Sequence, residues 1–283
     1  MSGDEHVSDR RMRVAWRTER PVVGMVHLLP LPGAPGWTGD LELVLHRAIE
    51  DANLLVDGGL DGLLVENFLD APFHPDAVPP ETVAGLTRAV LEVGRVAGDR
   101  PVGVNVLRND ARAALAVAAA TGAAFVRINV HTGTMWADQG PLVGRAHETL
   151  RTRATLRLHC AVWADVHVKH ATPPPGHRLE DAARDTWERG LADALVVSGM
   201  RTGEATEPER IAAVRRAVPR AEVWVGSGAT PESVGELLRV AAGVIVGSFL
   251  ERGGRAGAGV DAARVERFME AVGAAREGDR PTG

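Results

Sequence analysis

EVWVGSGATPESVGELLRVAAGVIVGSFL, residues 222–250, carries the fold in one strand–helix–strand unit. EVWVGSG (222–228) is a short β-branched run closed by glycines, the pattern of a buried strand and the turn that follows it. Thr230-Pro231-Glu232 supplies a capping residue and then a proline at the first helical position, so a helix is expected over 230–241. GVIVGS (243–248) repeats the strand and its glycine turn. Two such strands separated by a helix, with no hairpin signal between them, run parallel.

The same alternation extends back to residue 20 and on to residue 273. Strands are expected at 21–28, 61–68, 101–107, 125–130, 161–169, 194–199, 222–228 and 243–248. Helices are expected near 40–57, 80–97, 109–121, 142–158, 179–190, 206–217, 230–241 and 259–273. Eight strands each followed by a helix make a single (β/α)8 barrel over 20–275. A doubly wound open sheet is the alternative, and eight complete units with no leftover strand favour closure. Residues 1–19 read as a frayed arm and 276–283 as a C-terminal tail. The longest irregular stretches, 29–39, 68–79, 131–141 and 170–178, all follow strands, which in a barrel puts them on the catalytic face.

The 283 residues carry a net charge of -5, with 45% apolar and 24% charged side chains. This is the mix of an ordinary globular protein, and it argues against a nucleic-acid partner, which selects for a basic face. No apolar run approaches the roughly 18 residues of a membrane span, and the polar N-terminus lacks a signal-peptide core. One cysteine, Cys160, excludes an internal disulfide framework and a cysteine-based zinc cluster, so a reducing cytoplasm is the expected location. Of the 32 Lys and Arg residues only Lys169 is a lysine. A composition that replaces lysine elsewhere marks this one as chemically selected.

Alternation within the strands sorts side chains between barrel interior and helix layer. In ADVHVK (164–169), Ala164, Val166 and Val168 face the helices, so Asp165, His167 and Lys169 are expected to point inward together. The same pattern puts Arg127 and Asn129 inside on the fourth strand, Asn105 on the third, Glu66 on the second and His27 on the first, with Ser198-Gly199 ending the sixth. Barrel interiors are ordinarily filled by branched apolar residues, and burying unpaired polar groups costs several kcal/mol. This set therefore reads as a polar active-site floor, with an internal ion-pair network, Arg127 neutralising Glu66 and Asp165, as the structural alternative. Lys169, Asp165, His167 and Glu66 are the candidate acid, base or nucleophile. Lys169 is expected as an ion-paired acid or a substrate-positioning group, with imine formation as the other option. His27, Asn105, Arg127, Asn129, Ser198 and Gly199 are candidates for orienting substrate. No cofactor is expected. A divalent metal at Asp165-x-His167, completed by His27 or Glu66, is the alternative to a hydrogen-bonded polar pair.

Gly226-Ser227-Gly228 ends the seventh strand and Gly247-Ser248 the eighth. Glycine lets backbone amides approach an anion, and barrels often hold phosphate between these two loops. A small phosphorylated substrate is the expected partner.

The runs GMVHLLPLPGAPGW (24–37), VENFLDAPF (65–73), VGVNVLRND (102–110), RINVHTGTMWADQG (127–140), ADVHVKHA (164–171), VSGMRTGEAT (197–206), VGSGATPESV (225–234) and IVGSFLERGG (245–254) resemble the BtpA/SgcQ family over residues 20–273. Ser233 and Arg252 stand where the resemblance leads one to expect Asn and Lys. The resemblance implies a TIM barrel. It also implies one of two roles: an enzyme of small phosphorylated metabolites (a sugar or nucleoside phosphate, by lyase, isomerase or glycosyl-transfer chemistry), or a non-catalytic assembly factor for a complex such as photosystem I. A homo-oligomer is left open.

Overall fold

The structure, a computed structural model, describes residues 11–199 and 206–278. Its strands in chain order are β1 (Val22–His27), β2 (Gly62–Glu66), β3 (Val102–Asn105), β4 (Phe125–Ile128), β5 (Thr134–Ala137), β6 (Gly140–Val143), β7 (Ala161–Asp165), β8 (Ala171–Thr172), β9 (Ala194–Val197), β10 (Val223–Val225) and β11 (Gly243–Val246). The helices are α1 (Leu41–Asp57), α2 (Pro80–Ala97), α3 (Ala111–Thr121), α4 (Ala146–Thr155), α5 (Leu179–Arg184), α6 (Pro208–Ala217), α7 (Val234–Val240) and α8 (Ala262–Gly278). Eight strands close into a parallel barrel in the order β1-β2-β3-β4-β7-β9-β10-β11, and β11 returns to β1 with Val244 opposite Val22. This is the single (β/α)8 barrel expected.

The two-residue period sorts the core into two. Val22, Val65, Val104, Val126, Ile128 and Val162 pack outward against the helices. Val23, Leu64, Phe125, Trp163, Val196, Trp224 and Ile245 fill the interior. The lower interior is aromatic. Phe125 and Trp163 stack with ring centroids 4.1 Å apart, and Trp224 lies 4.2 Å beyond Trp163. Trp16 closes the stack from below, 5.4 to 6.3 Å from all three rings. Rings of this size need neighbours without side chains: a Cβ on Gly103 would sit 2.2 Å from Phe125, and one on Gly243 2.4 Å from Trp224. Burying each ring contributes on the order of 2–3 kcal/mol.

Trp16 overturns the reading of 11–19 as part of a frayed arm. Arg11 lies over the Trp187 ring at 3.5 Å and donates to the Trp187 and Ala192 carbonyls, and the Met12 amide donates to Asp193. Apolar side chains of Met12, Val14 and Trp16 pack on the interior cluster, so this segment is held by burial. The tail is likewise shorter than expected: α8 continues to Gly278, anchored by Arg276 Nη2 to Asp61 Oδ2 at 2.6 Å. The remainder of both segments, 1–10 and 279–283, lies outside the described residues, as does 200–205 of the VSGMRTGEAT run.

Two further expectations fail. The strand expected over 161–169 stops at Asp165, and His167 takes a left-handed φ of 53° that extended backbone does not accommodate. The irregular stretches 131–141 and 170–178 instead pair with each other: β6, β5 and β8 form a small antiparallel sheet on the loops that follow β4 and β7. Val130, Met135, Leu142, Val168 and Ala171 bury against one another beneath it. Residues 140–143 are consumed in that sheet, so the helix expected from 142 begins at Ala146. Among the described residues no helix is long and apolar enough to cross a membrane.

Candidate active site

Above the aromatic layer the interior turns polar, because the next inward position carries a charge, an amide or an imidazole on β1, β2, β3, β4 and β7, namely His27, Glu66, Asn105, Arg127 and Asp165. Arg127 is 3% exposed and grips Asp165 with both edges of its fork, Nη2 to Oδ1 at 2.8 Å and Nε to Oδ2 at 3.1 Å. Asn129 Nδ2 also donates to Asp165 Oδ2, at 2.8 Å. Burial alone disfavours the charged guanidinium, but Asp165, with Glu66 behind it, holds Arg127 above its ordinary value. The carboxylate that neutralises Arg127 at contact distance is thus Asp165. Glu66 has other partners: Asn105 Nδ2 donates to its Oε2 at 2.6 Å, and His27 Nε2 stands 3.9 Å from its Oε1. His27 is fixed from the far side by a hydrogen bond between Nδ1 and Glu251 Oε1, and by Phe68, whose ring centroid is 4.6 Å away.

This floor is the base of a cavity of about 140 Å³ at the C-terminal ends of the strands. One wall is built from Gly226 to Thr230 and from Gly247 to Phe249, the turns after β10 and β11. Both glycines are sterically required. A Cβ at Gly226 would fall 2.4 Å from Ser198 Oγ, and one at Gly247 2.9 Å from His27. The backbone amides of Ser227, Gly228 and Ala229 donate to no acceptor among the described residues, and Ser227 Oγ is buried without a partner. Met25, His27, Glu66, Arg127 and Lys169 line the rest, with Arg264 reaching in from α8.

Lys169 stands in this cavity with no ion pair among the described residues, contrary to the expectation that a carboxylate would hold it. Asp165 is already saturated by Arg127 and Asn129. The segment bearing Lys169 is tied down: Arg108 Nη2 donates to the Lys169 carbonyl at 2.7 Å, and Val168 is buried. Burial first, and then the field of Arg127, pull the amine below the ordinary lysine value, against Glu66 and Asp165.

A family model for the BtpA family matches residues 18–274. The chain belongs to the BtpA family. It is 46% identical over 257 residues to the photosystem I biogenesis protein BtpA of Synechocystis sp., covering 91% of this chain and 89% of that one. It is 43% identical to an uncharacterized protein of Thermococcus kodakarensis, covering 89% and 94%. Among solved structures it is similar to the phosphoribosyl anthranilate isomerase of Thermus thermophilus, with a TM-score of 0.56 and 14% identity over 90% of this chain and 98% of that one, a likeness of fold alone.

In this BtpA-family barrel the sequence-predicted residues fall into three groups. His27, Glu66, Arg127, Lys169, Gly226, Ser227, Gly228, Gly247 and Ser248 meet around the cavity. Asn105, Asn129, Asp165 and Ser198 are buried below it, holding the residues that line it. Gly199 and His167 do not reach it. With the strand ended at Asp165, His167 turns its Nε2 to His177 Nδ1 at 3.4 Å. Burial, then His177 and Arg210, lower the His167 ring to about 4. Asp165 and His167 therefore share no face, and the metal pair drawn from their spacing does not form. Among the described residues no three metal-ligating side chains converge. The sequence reading missed Arg264, Arg108 and Glu251. Arg264 lies on a helix, where strand alternation gives no signal. It is placed by Phe249, whose carbonyl accepts from Nε at 2.5 Å and whose ring lies 4.5 Å from the guanidinium.

Proposed function

We propose that this barrel is an enzyme that binds a small phosphorylated metabolite, a sugar or nucleoside phosphate, and acts on it with side chains of the cavity floor. The observation that carries the reading is the convergence of two glycine turns, with unengaged amides, and three basic side chains, Arg127, Lys169 and Arg264, on the cavity that also holds Glu66 and His27. The phosphate sits against the amides of Ser227, Gly228 and Ala229 and within reach of Arg264, where backbone dipoles and a guanidinium fork match its oxygens. The rest of the substrate then extends over the floor. The Nδ1 bond to Glu251 fixes the His27 ring and leaves Nε2 facing Glu66 and the cavity, the placement of a proton carrier. Arg127 and Asn105 hold Asp165 and Glu66 and so set the field over the reacting carbon. Lyase, isomerase and glycosyl-transfer steps all fit this donor set. The phosphoribosyl anthranilate isomerase that shares the fold has a phosphorylated substrate in its name, which is consistent with the reading.

The test is thermal shift with a panel of sugar and nucleoside phosphates beside their dephosphorylated counterparts. A ligand at a hundredfold its Kd stabilises by about 2.7 kcal/mol. A rise confined to the phosphorylated members supports the reading, and no rise with any of them sinks it. The name of the Synechocystis relative favours a second reading, an assembly factor. A stable macromolecular partner, still captured after Glu66→Gln and Lys169→Met, would favour that role instead.

A further inference from the structure

We propose that Lys169 is a Schiff-base nucleophile and that the phosphorylated substrate of this barrel is an aldehyde or ketone. The inference rests on the phosphate reading above and deepens it. Among the described residues, the carboxylates at the cavity floor are already engaged. Asp165 accepts three N–H groups, from Arg127 Nη2 and Nε and from Asn129. Glu66 accepts from Asn105, and Glu251 accepts from the Gly259 amide at 3.0 Å besides its bond to His27. None lies within ion-pair distance of the Lys169 amine among the described residues. Burial disfavours the charged amine most, the guanidiniums of Arg127 and Arg108 add to that, and Glu66 and Asp165 oppose it without reaching contact distance.

A residue needed only as a cation for phosphate would be served by arginine, which this chain uses at every other basic position. What lysine adds is an amine able to give up its proton and form a carbon–nitrogen bond. The tethered backbone keeps that amine in place: the Lys169 carbonyl is bonded to Arg108, and Val168 is buried under the small sheet. Both glycine turns line the same cavity, so a phosphate bound there delivers an attached carbonyl to the amine.

The step balances within the site. Neutral Nζ adds to the carbonyl carbon, and the carbon–nitrogen bond forms. The carbonyl oxygen then leaves as water, carrying both amine hydrogens, and the imine remains. Glu66 and His27, on the same cavity, relay those protons.

The experiment uses the intact chain with sodium borohydride as reductant and glyceraldehyde 3-phosphate or dihydroxyacetone phosphate as probe. Hydride reduces an imine to a stable secondary amine, which peptide mass mapping locates. The chain offers only two primary amines, Lys169 and the α-amino group, so the second serves as an internal control. The expected result is a Lys169 adduct that saturates with probe concentration and is suppressed by inorganic phosphate, while α-amino labelling rises linearly and is unaffected. Lys169→Arg should lose the adduct yet keep the thermal shift given by glycerol 3-phosphate, which has no carbonyl. A shift with glycerol 3-phosphate but no Lys169 adduct from either probe overturns the Schiff base and leaves the phosphate site standing. A saturating adduct indifferent to phosphate, with no shift from glycerol 3-phosphate, overturns the phosphate reading, and with it the phosphorylated class of substrate. Neither adduct nor shift overturns both.

Discussion

Removing the Arg127 guanidinium should destabilise the barrel more than removing most core side chains would. In Arg127→Met, Asp165 Oδ1 loses its one donor and Oδ2 keeps only Asn129, so a carboxylate 5% exposed is left half-solvated by protein. Breaking one side of such a pair costs about 3–5 kcal/mol. Unfolding entropy of about 2.1 cal/mol/K per residue makes roughly 0.6 kcal/mol/K for a chain of this size, so the midpoint should fall by about 5–8 °C. Arg127→Met with Asp165→Leu removes both charges and should recover more than half of that loss. Calorimetry of wild type, both single variants and the double variant closes the cycle. A single variant that melts within about 1 °C of wild type would refute the argument, as would a double variant no more stable than the weaker single one.

Gly228 has a φ of +76° in the turn after β10, so Gly228→Asp should fold, because Asp tolerates this region, yet lose phosphate binding through repulsion. Titration with a phosphorylated ligand checks it, and retained affinity in a folded variant removes the phosphate from this turn. His131 is buried, and burial lowers its ring from 6.5 to about 4. The unfolded chain therefore binds the proton first, so stability present above pH 6.5 is lost as pH falls, by about 2 kcal/mol at pH 5. Unfolding free energies at pH 7.5 and 5 should show that loss reduced in His131→Gln, and an unchanged slope would contradict the assignment. Trp16→Ala should cost about 3 kcal/mol by opening the base of the aromatic stack. Guanidinium unfolding measures it, and a loss below about 1 kcal/mol would mean the ring is not packed as described.

The barrel was legible because the two-residue period is unbroken where it counts. Val126 and Ile128 face the helices while Phe125 and Arg127 face inward, and no other strand register satisfies both. The cavity was legible for the same reason, since His27, Glu66 and Arg127 occupy inward strand positions. The pattern misled only past Asp165. Val166 and Val168 continue the alternation on paper, but Val168 serves the small sheet, not the barrel, and His167 pays no attention to a period its left-handed backbone has already broken. Trp16 was hidden because a lone aromatic in a polar segment gives no periodic signal. Its trace lay elsewhere, in Gly62, where a Cβ would meet the Trp16 ring at 2.8 Å, as Gly103 and Gly243 make room for Phe125 and Trp224. Arg264 reaches the site across space from a helix, and only the folded chain reveals that proximity.

The stack of Trp16, Phe125, Trp163 and Trp224 has a consequence for traffic. With its base stoppered, the barrel among the described residues is closed at the end opposite the small sheet, and the cavity lies at the other end. For the enzyme proposed above, product would leave by the route its substrate took. A slowly departing product would then compete with incoming substrate.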